Sequence, residues 1–432
     1  MKHETLKLRD FQETGMSWLV RKKGTLLADD PGLGKTIQAI AAINHLKARK
    51  LLIICPASVK YNWKKEIERF IYSDSLTIQV VDTGKTHIKS KAHITIVNYD
   101  LIKQHYSTLK EIKYAVVICD ECHKLKNPET IRTRLILGKG GLIENGYFKM
   151  LLTGTPIQNK PIDLYPTISA LAPEKIDHMT FYQFAFKYCN AYRGAFGLIY
   201  GKPSGKKAAE LKEILSSFML RRRKRDVLKD LPKVTMQHIP IKPTKKLEDL
   251  REKEWEMRES APDSEFAQLG ISSSLMSELA LAKAPFCLDF IKDALENESD
   301  KLVIFAYHRN LIKELVKKLN KFGVVQITGA TSSAARQKAV DDFMAKKKVR
   351  VFIGQIEAAG EGINGLQTVC SHAIFCQIGS NPKDIEQAVG RLDRMGQTEP
   401  VLAQFLLVED SLEQDRFENV LEKAKMNKKI LD

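Results

Sequence analysis

Thr25-Leu26-Leu27-Ala28 is a short apolar run. Asp29-Asp30-Pro31-Gly32-Leu33-Gly34-Lys35-Thr36 follows it, and a helical pattern begins at Thr36. Strand, glycine-rich loop and helix in that order form the context of a phosphate cradle. Gly32 and Gly34 let backbone N–H groups approach phosphate oxygens with no side chain between. The helix start adds partial positive charge. On this reading Asp30, Gly32, Leu33, Gly34, Lys35 and Thr36 line the nucleotide side of the loop. Lys35 reaches the β and γ phosphates, and the Thr36 hydroxyl binds Mg2+. Asp29 stands where the general spacing has its first glycine, so a chance glycine-rich turn is the alternative while the motif is taken by itself.

Outward from this loop, short apolar runs recur. In the first half they are Leu51–Cys55, Ile94–Val97, Val116–Cys119 and Met150–Thr153. In the second half they are Leu302–Ala306, Val324–Ile327, Val349–Gly354, Ala373–Cys376 and Val401–Val408. Amphipathic stretches such as Thr36–Lys47, Arg309–Lys321 and Ser332–Lys346 lie between them. Continuous apolar strands alternating with helices indicate an α/β fold with parallel sheets buried on both faces. The pattern occurs twice, and the middle of the chain differs in composition. Phe181–Tyr200 is aromatic-rich, Gly201–Lys207 is turn-rich, Arg221–Arg225 is wholly basic and Lys242–Ser264 is highly charged. Two domains are therefore expected, residues 1–225 with a helical insertion and residues 271–432, joined by a charged linker at 226–270. Ser411–Lys428 reads as a closing helix with Leu412, Phe417, Val420 and Leu421 inward.

With 432 residues, 44% hydrophobic and 28% charged, the balance is that of a globular protein rather than a disordered one. No apolar run has bilayer length, and the polar Met1-Lys2-His3-Glu4 start lacks a signal-peptide core. A soluble intracellular protein is expected, cytoplasmic or nucleoid-associated in a bacterium or virus and nuclear in a eukaryote. The net charge of +17 asks for a polyanionic partner, with nucleic acid ahead of an acidic membrane. Seven cysteines are scattered through apolar stretches. Cys119 and Cys122 have CxxC spacing, but no second pair lies nearby to complete a tetrahedral metal site.

Three further segments carry chemistry. Ala115–Cys119 is a strand ending in Asp120-Glu121-Cys122-His123. Asp120 can hold Mg2+ at the strand tip, and Glu121 can orient and deprotonate water. The plainer reading is a solvated acidic turn. Leu151-Leu152-Thr153-Gly154-Thr155-Pro156 puts small hydroxyl residues just past another strand. Gln387–Gln397 reads as a helix with Arg391 and Arg394 on one face, where two guanidiniums could clamp a γ-phosphate. Taken by itself, RxxR is usually a pair of surface arginines.

The order of these segments resembles the Swi/Snf-type ATPases of helicase superfamily two, over essentially the whole chain. Leu8-Arg9-Asp10-Phe11-Gln12 looks like their Q motif, with Gln12 at the adenine contact. DDPGLGKT is similar to motif I, with Asp30-Pro31 where Glu-Met is more usual. Cys55-Pro56-Ala57-Ser58 with Asn62-Trp63 resembles motif Ia, Asn98-Tyr99 motif Ib, DECH motif II and TGTP motif III. Leu220-Arg221-Arg222 with Asp226-Val227 and Leu231-Pro232 looks like the block that ends lobe one. Ile304-Phe305-Ala306 resembles motif IV. Ala359-Gly360-Glu361-Gly362-Ile363-Asn364 is similar to motif V, with Gln355 replacing a small hydroxyl residue, and QAVGRLDRMGQ to motif VI. Phe184–Asn190 and Ala282–Phe290 look most like the annealing-helicase, or HARP-like, branch.

The resemblance implies two RecA-like domains that use ATP and Mg2+. Gln12, the Asp30–Thr36 loop and Gly362 would bind the nucleotide, and Thr36 and Asp120 the metal. Lys35, Glu121, Arg391 and Arg394 would carry catalysis. It further implies a translocase on double-stranded DNA, gripping phosphates with little sequence preference, as a monomer. An RNA- or single-strand-directed helicase shares the ATP chemistry and stays open. A non-catalytic clamp that keeps the fold is the other alternative.

Overall fold

The computed structural model describes residues 6–73, 75–158, 160–194, 197–200, 204–260, 275–359, 363–379 and 381–431. The chain divides into two units, one of the residues up to Lys229 with the C-terminal stretch from Lys425 and the other of Asp230–Ala424, each built around one parallel sheet. The strands are β1 (Gly24–Leu27), β2 (Leu51–Cys55), β3 (Ile78–Val80), β4 (Ile94–Asn98), β5 (Tyr114–Asp120), β6 (Gly146–Leu152), β7 (Tyr192–Gly194), β8 (Gly197–Ile199) and β9 (Met219–Leu220) in the first unit. The second contributes β10 (Val234–Ile241), β11 (Leu302–Ala306), β12 (Val324–Ile327), β13 (Val351–Gln355), β14 (His372–Phe375) and β15 (Val401–Val408).

In the first unit the sheet order is β3-β4-β2-β5-β6-β1-β9, with every pairing parallel. Alternate side chains of a strand point to opposite faces, and here both faces are covered. Leu52, Ile54, Val117 and Leu151 enter one apolar cluster. Leu51, Ile53, Val116, Ile118 and Met150 enter the other. This is why the strands read as unbroken apolar runs. The register matters for function. Leu27 of β1 is opposite Leu152 of β6 and Leu220 of β9, and Leu152 is opposite Asp120 of β5. Four chain segments therefore leave the sheet at one level, side by side, at the carboxyl ends of parallel strands. In α/β folds that edge is where ligands bind.

The aromatic insertion contains the helix Phe181–Tyr188. It starts at a capping box in which Thr180 and Gln183 exchange side-chain and backbone bonds. Phe184 and Tyr188 are buried in the first unit's core, and the Tyr188 hydroxyl donates to Glu210 Oε1 at 2.8 Å. β7 and β8 form a separate antiparallel pair.

In the second unit the order is β10-β15-β14-β11-β13-β12, again all parallel. Val303, Phe305, Phe352 and Phe375 pack on one face, and Ile304, Val351, Ile353 and Ile374 on the other. Three expectations differ from what is found. Val234–Ile241 lies inside the segment read as a linker, yet it is the edge strand of this sheet, paired along its length with Val401–Val408. Most of its side chains are exposed, and Pro240 is tolerated because an edge strand has a free side; no continuous apolar run marks it. The linker's 261–270 portion lies outside the described residues. The helix expected over Gln387–Gln397 spans only Pro382–Val389 and gives way to turns from Gly390 onward. In the closing helix Leu412–Leu431, Val420 is buried and Phe417 packs on the core, but Leu421 is exposed.

Candidate active site

The loop after β1 turns through Gly32 (φ 92°) and Gly34 (φ 75°), left-handed positions that favour glycine. At Gly34 a Cβ would sit 2.6 Å from Gln12 Nε2. The helix Lys35–Leu46 begins immediately after it. The Lys35 ammonium donates to the carbonyls of Asp29 (2.7 Å) and Asp30 (3.3 Å), inside the curve of its own loop. Gln12 is buried beside the loop, where its Nε2 donates to the Leu33 carbonyl at 3.3 Å and its Oε1 accepts from the Arg9 amide. The Q-motif glutamine and the phosphate loop are thus one assembly.

Two strands away, Asp120 ends β5. Its carboxylate is oriented from two sides. The Trp63 indole N–H donates to Oδ2 at 2.7 Å, and the Glu121 amide donates to Oδ1 at 3.0 Å. The Tyr99 hydroxyl holds the Asp120 carbonyl at 2.7 Å. Burial and the Glu121 carboxylate push the Asp120 acid up to about 7, while the Trp63 hydrogen bond and the Lys35 charge pull against that. Glu121 has φ 52°, a left-handed conformation a non-glycine residue adopts at some cost. It directs the side chain onto His123, whose Nδ1 lies 3.1 Å from Glu121 Oε2 and 2.8 Å from Thr153 Oγ1. Thr153 Oγ1 also accepts from the Thr155 amide at 3.1 Å. The DECH and TGTP segments are therefore wired through one imidazole. The TGTP segment also touches the phosphate loop, because a Cβ on Gly154 would meet Pro31 at 2.9 Å and Lys35 Nζ at 3.4 Å.

A cradle of glycines, a lysine, a hydroxyl residue and a buried carboxylate with a second carboxylate beside it fit a Mg2+–triphosphate. The metal donors are hard oxygens, as Mg2+ prefers. All seven cysteines are free and buried, and burial pushes the Cys119 and Cys122 thiols well up. A buried, undissociated thiol pair is core material rather than a metal or redox site.

Arg391 and Arg394, in the second unit, converge as the sequence suggested, although through turns rather than on a helix face. Arg391 Nη1 donates to the Ile363 carbonyl at 2.7 Å. Arg394 Nη1 donates to the same carbonyl at 3.3 Å and to Asn364 Oδ1 at 2.6 Å. Burial and the Arg391 charge lower Arg394 to about 10, which leaves it cationic at neutral pH. Gly362 lies outside the described residues. Gln355 is turned inward, accepting from the Gly329 amide at 3.0 Å and donating to the Tyr307 carbonyl at 3.3 Å.

Four side chains of the site carried no such role in the sequence. Trp63 and Tyr99 were visible only as motif neighbours. Arg221 and Arg222 belonged to a basic run whose type suggests a solvated or nucleic-acid-facing surface. Instead Arg221 Nη1 donates to the Ala28 (3.1 Å) and Gly154 (3.4 Å) carbonyls, and its Nη2 lies 3.4 Å from Asp30 Oδ1. Arg222 grips the carboxylate of Asp29. The Asp30 carboxylate, expected on the nucleotide side, is taken up by Arg221 and by the Lys224 amide at 3.0 Å. Opposite charge in order along the chain, Asp29-Asp30 and Arg221-Arg222, was the available signal.

Comparison with known proteins gives the family. The SNF2-related domain model matches residues 11–284, and the helicase conserved C-terminal domain model matches residues 283–396. The human DNA annealing helicase and endonuclease ZRANB3 is 33% identical over 427 residues, covering 94% of this chain and 39% of that protein. The SWI/SNF-related matrix-associated actin-dependent regulator of chromatin subfamily A-like protein 1 of Xenopus tropicalis is 32% identical over 434 residues, covering 97% and 44%. The chain thus spans about two fifths of the length of these curated relatives. A solved structure, the Sulfolobus solfataricus SWI2/SNF2 ATPase core in complex with dsDNA, aligns with a TM-score of 0.48 at 24% identity, covering 100% of this chain and 94% of that one.

Proposed function

The chain belongs to the SNF2-related family of helicase-like ATPases, and from that premise we propose that it hydrolyses ATP to ADP and phosphate to move along double-stranded DNA. The observation that carries the reading is the shared level of Leu27, Asp120, Leu152 and Leu220 at one sheet edge, which gathers the phosphate loop, the DECH carboxylates, the TGTP turn and Gln12 into one site. Gln12 reads the adenine. The backbone of the Gly32–Lys35 loop and the Lys35 ammonium hold the phosphates. Thr36 and Asp120 hold the Mg2+. Bound there, Mg2+ would supply neutralisation of phosphate charge. Glu121 takes a proton from the attacking water, and His123 fixes its side chain. Arg391 and Arg394 offset the charge that spreads over the transferring phosphoryl group.

Affinity for the track comes from phosphate contacts, in keeping with the net charge of +17, so sequence preference is slight. The printed name of human ZRANB3 adds annealing of DNA as a task, and we extend that task to this chain as part of the proposal. The test is ATP hydrolysis measured with duplex DNA, single-stranded DNA and RNA, followed by displacement of a third strand from duplex DNA. Strongest stimulation by duplex and ATP-dependent third-strand release are expected. Stimulation by RNA or single strands alone would replace the duplex track. Hydrolysis with none of them would remove the motor reading.

A further inference from the structure

Asp29 is wholly buried, at 0% exposure, in the position where the general phosphate-loop spacing has a glycine. A buried carboxylate needs a partner, and Arg222 supplies two bonds to it. Arg222 Nε reaches Oδ1 at 3.0 Å, and Nη2 reaches Oδ2 at 2.5 Å. The same fork does more. Nη2 also donates to Gln38 Oε1 at 2.8 Å, and Nη1 donates to the Phe11 carbonyl. Gln38 in turn donates to the Leu33 carbonyl at 3.1 Å, the acceptor that Gln12 shares. One guanidinium thereby fixes the entry of the phosphate loop, the helix leaving it and the segment that bears Gln12. Gly15 is the space it passes through. A Cβ there would lie 1.7 Å from Gln38 Oε1 and 2.6 Å from Arg222 Nη2.

We infer that Arg222 is a positioning residue of the nucleotide site, holding the phosphate loop and the Gln12 segment in mutual register. The inference rests on the nucleotide reading of that loop. It assigns Arg222 a task unrelated to the DNA track, and a planar, bidentate fork that lysine cannot replace. Arg222 also lies seven residues before Lys229, where the chain passes from the first unit to the second, and the next turn is tied in as well, since the Lys224 amide donates to Asp30. The phosphate loop and the chain leaving the unit are thus held by one short segment.

The experiment measures MgADP binding with a fluorescent ADP analogue, alongside the thermal midpoint by circular dichroism, on the full chain. The set is wild type, Arg222→Lys, Arg222→Gln, Gly15→Ala and the double variant Asp29→Asn with Arg222→Gln. Both Arg222 single variants and Gly15→Ala should weaken MgADP binding about tenfold or more. The double variant removes the uncompensated charge, so its midpoint should return toward wild type while its MgADP affinity stays weak. Affinity that recovers in step with the midpoint, or an Arg222→Lys protein that binds as wild type does, overturns the inference. Wild type that binds no MgADP overturns the nucleotide reading itself and this inference with it.

Discussion

Asp120, the carboxylate proposed to hold Mg2+, is oriented at its strand tip from two sides. Its Oδ2 takes the indole N–H of Trp63, a fully buried side chain from the helix Lys60–Phe70, and its Oδ1 takes a backbone amide. Trp63→Phe keeps the apolar volume and removes the donor to a charged group, a loss of about 1.5–3 kcal/mol. The concentration of Mg2+ needed for half-maximal ADP binding should therefore rise about tenfold, read by titrating Mg2+ at fixed analogue concentration. In the proposed mechanism Glu121 acts on water rather than on the nucleotide. Glu121→Gln should keep ATP affinity near wild type and lower the hydrolysis rate by about 10²–10⁴-fold in a steady-state phosphate-release assay. Trp63 was legible as a motif neighbour, but its bond to Asp120 spans 57 positions of sequence, and no local pattern encodes that.

Among elements, the central strands announced themselves and the edges did not. β2 and β4 are buried at every position, so β2 is apolar throughout and β4 is apolar except at Thr95 and Asn98. β10 is half solvated and polar at Thr235, Gln237 and His238, so its composition matched a linker. A buried ion pair lies in the second unit. Lys283 Nζ lies 2.6 Å from both carboxylate oxygens of Glu413 and donates to the Leu406 carbonyl at 2.8 Å, with both side chains essentially unexposed. It joins the turn before helix Ala284–Asn297 to the start of the closing helix and to β15. Lys283→Met leaves Glu413 buried without its partner and should destabilise this unit by about 3–5 kcal/mol. Lys283→Met combined with Glu413→Leu should recover most of that. Urea unfolding of the three proteins measures both, and a single variant as stable as wild type would show the pair to be idle.

For the whole molecule the relevant quantity is charge. Phosphate-dominated binding makes the DNA-stimulated rate fall steeply as salt rises, because each neutralised phosphate releases counterion. The salt concentration that halves stimulation, followed over a series from about 50 to 200 mM, is the readout; a flat response would exclude that mode of binding. If Arg391 offsets transition-state charge as proposed, Arg391→Ala should leave ATP binding intact and lower hydrolysis by about 10²–10³-fold. By itself the sequence determined the α/β class and the doubled sheet pattern, and it set the proposal of phosphate and metal chemistry at Lys35, Thr36, Asp120 and Glu121. Those signals are local: hydrophobic periodicity and residues adjacent in the chain. Only the tertiary structure decided that the Arg221–Arg222 pair turns inward to Asp29 and Asp30, that Trp63 orients Asp120, and that Val234–Ile241 closes a sheet. These are pairings between distant segments, set by strand register and by the need to compensate buried charge, and neither is written in any single stretch of chain.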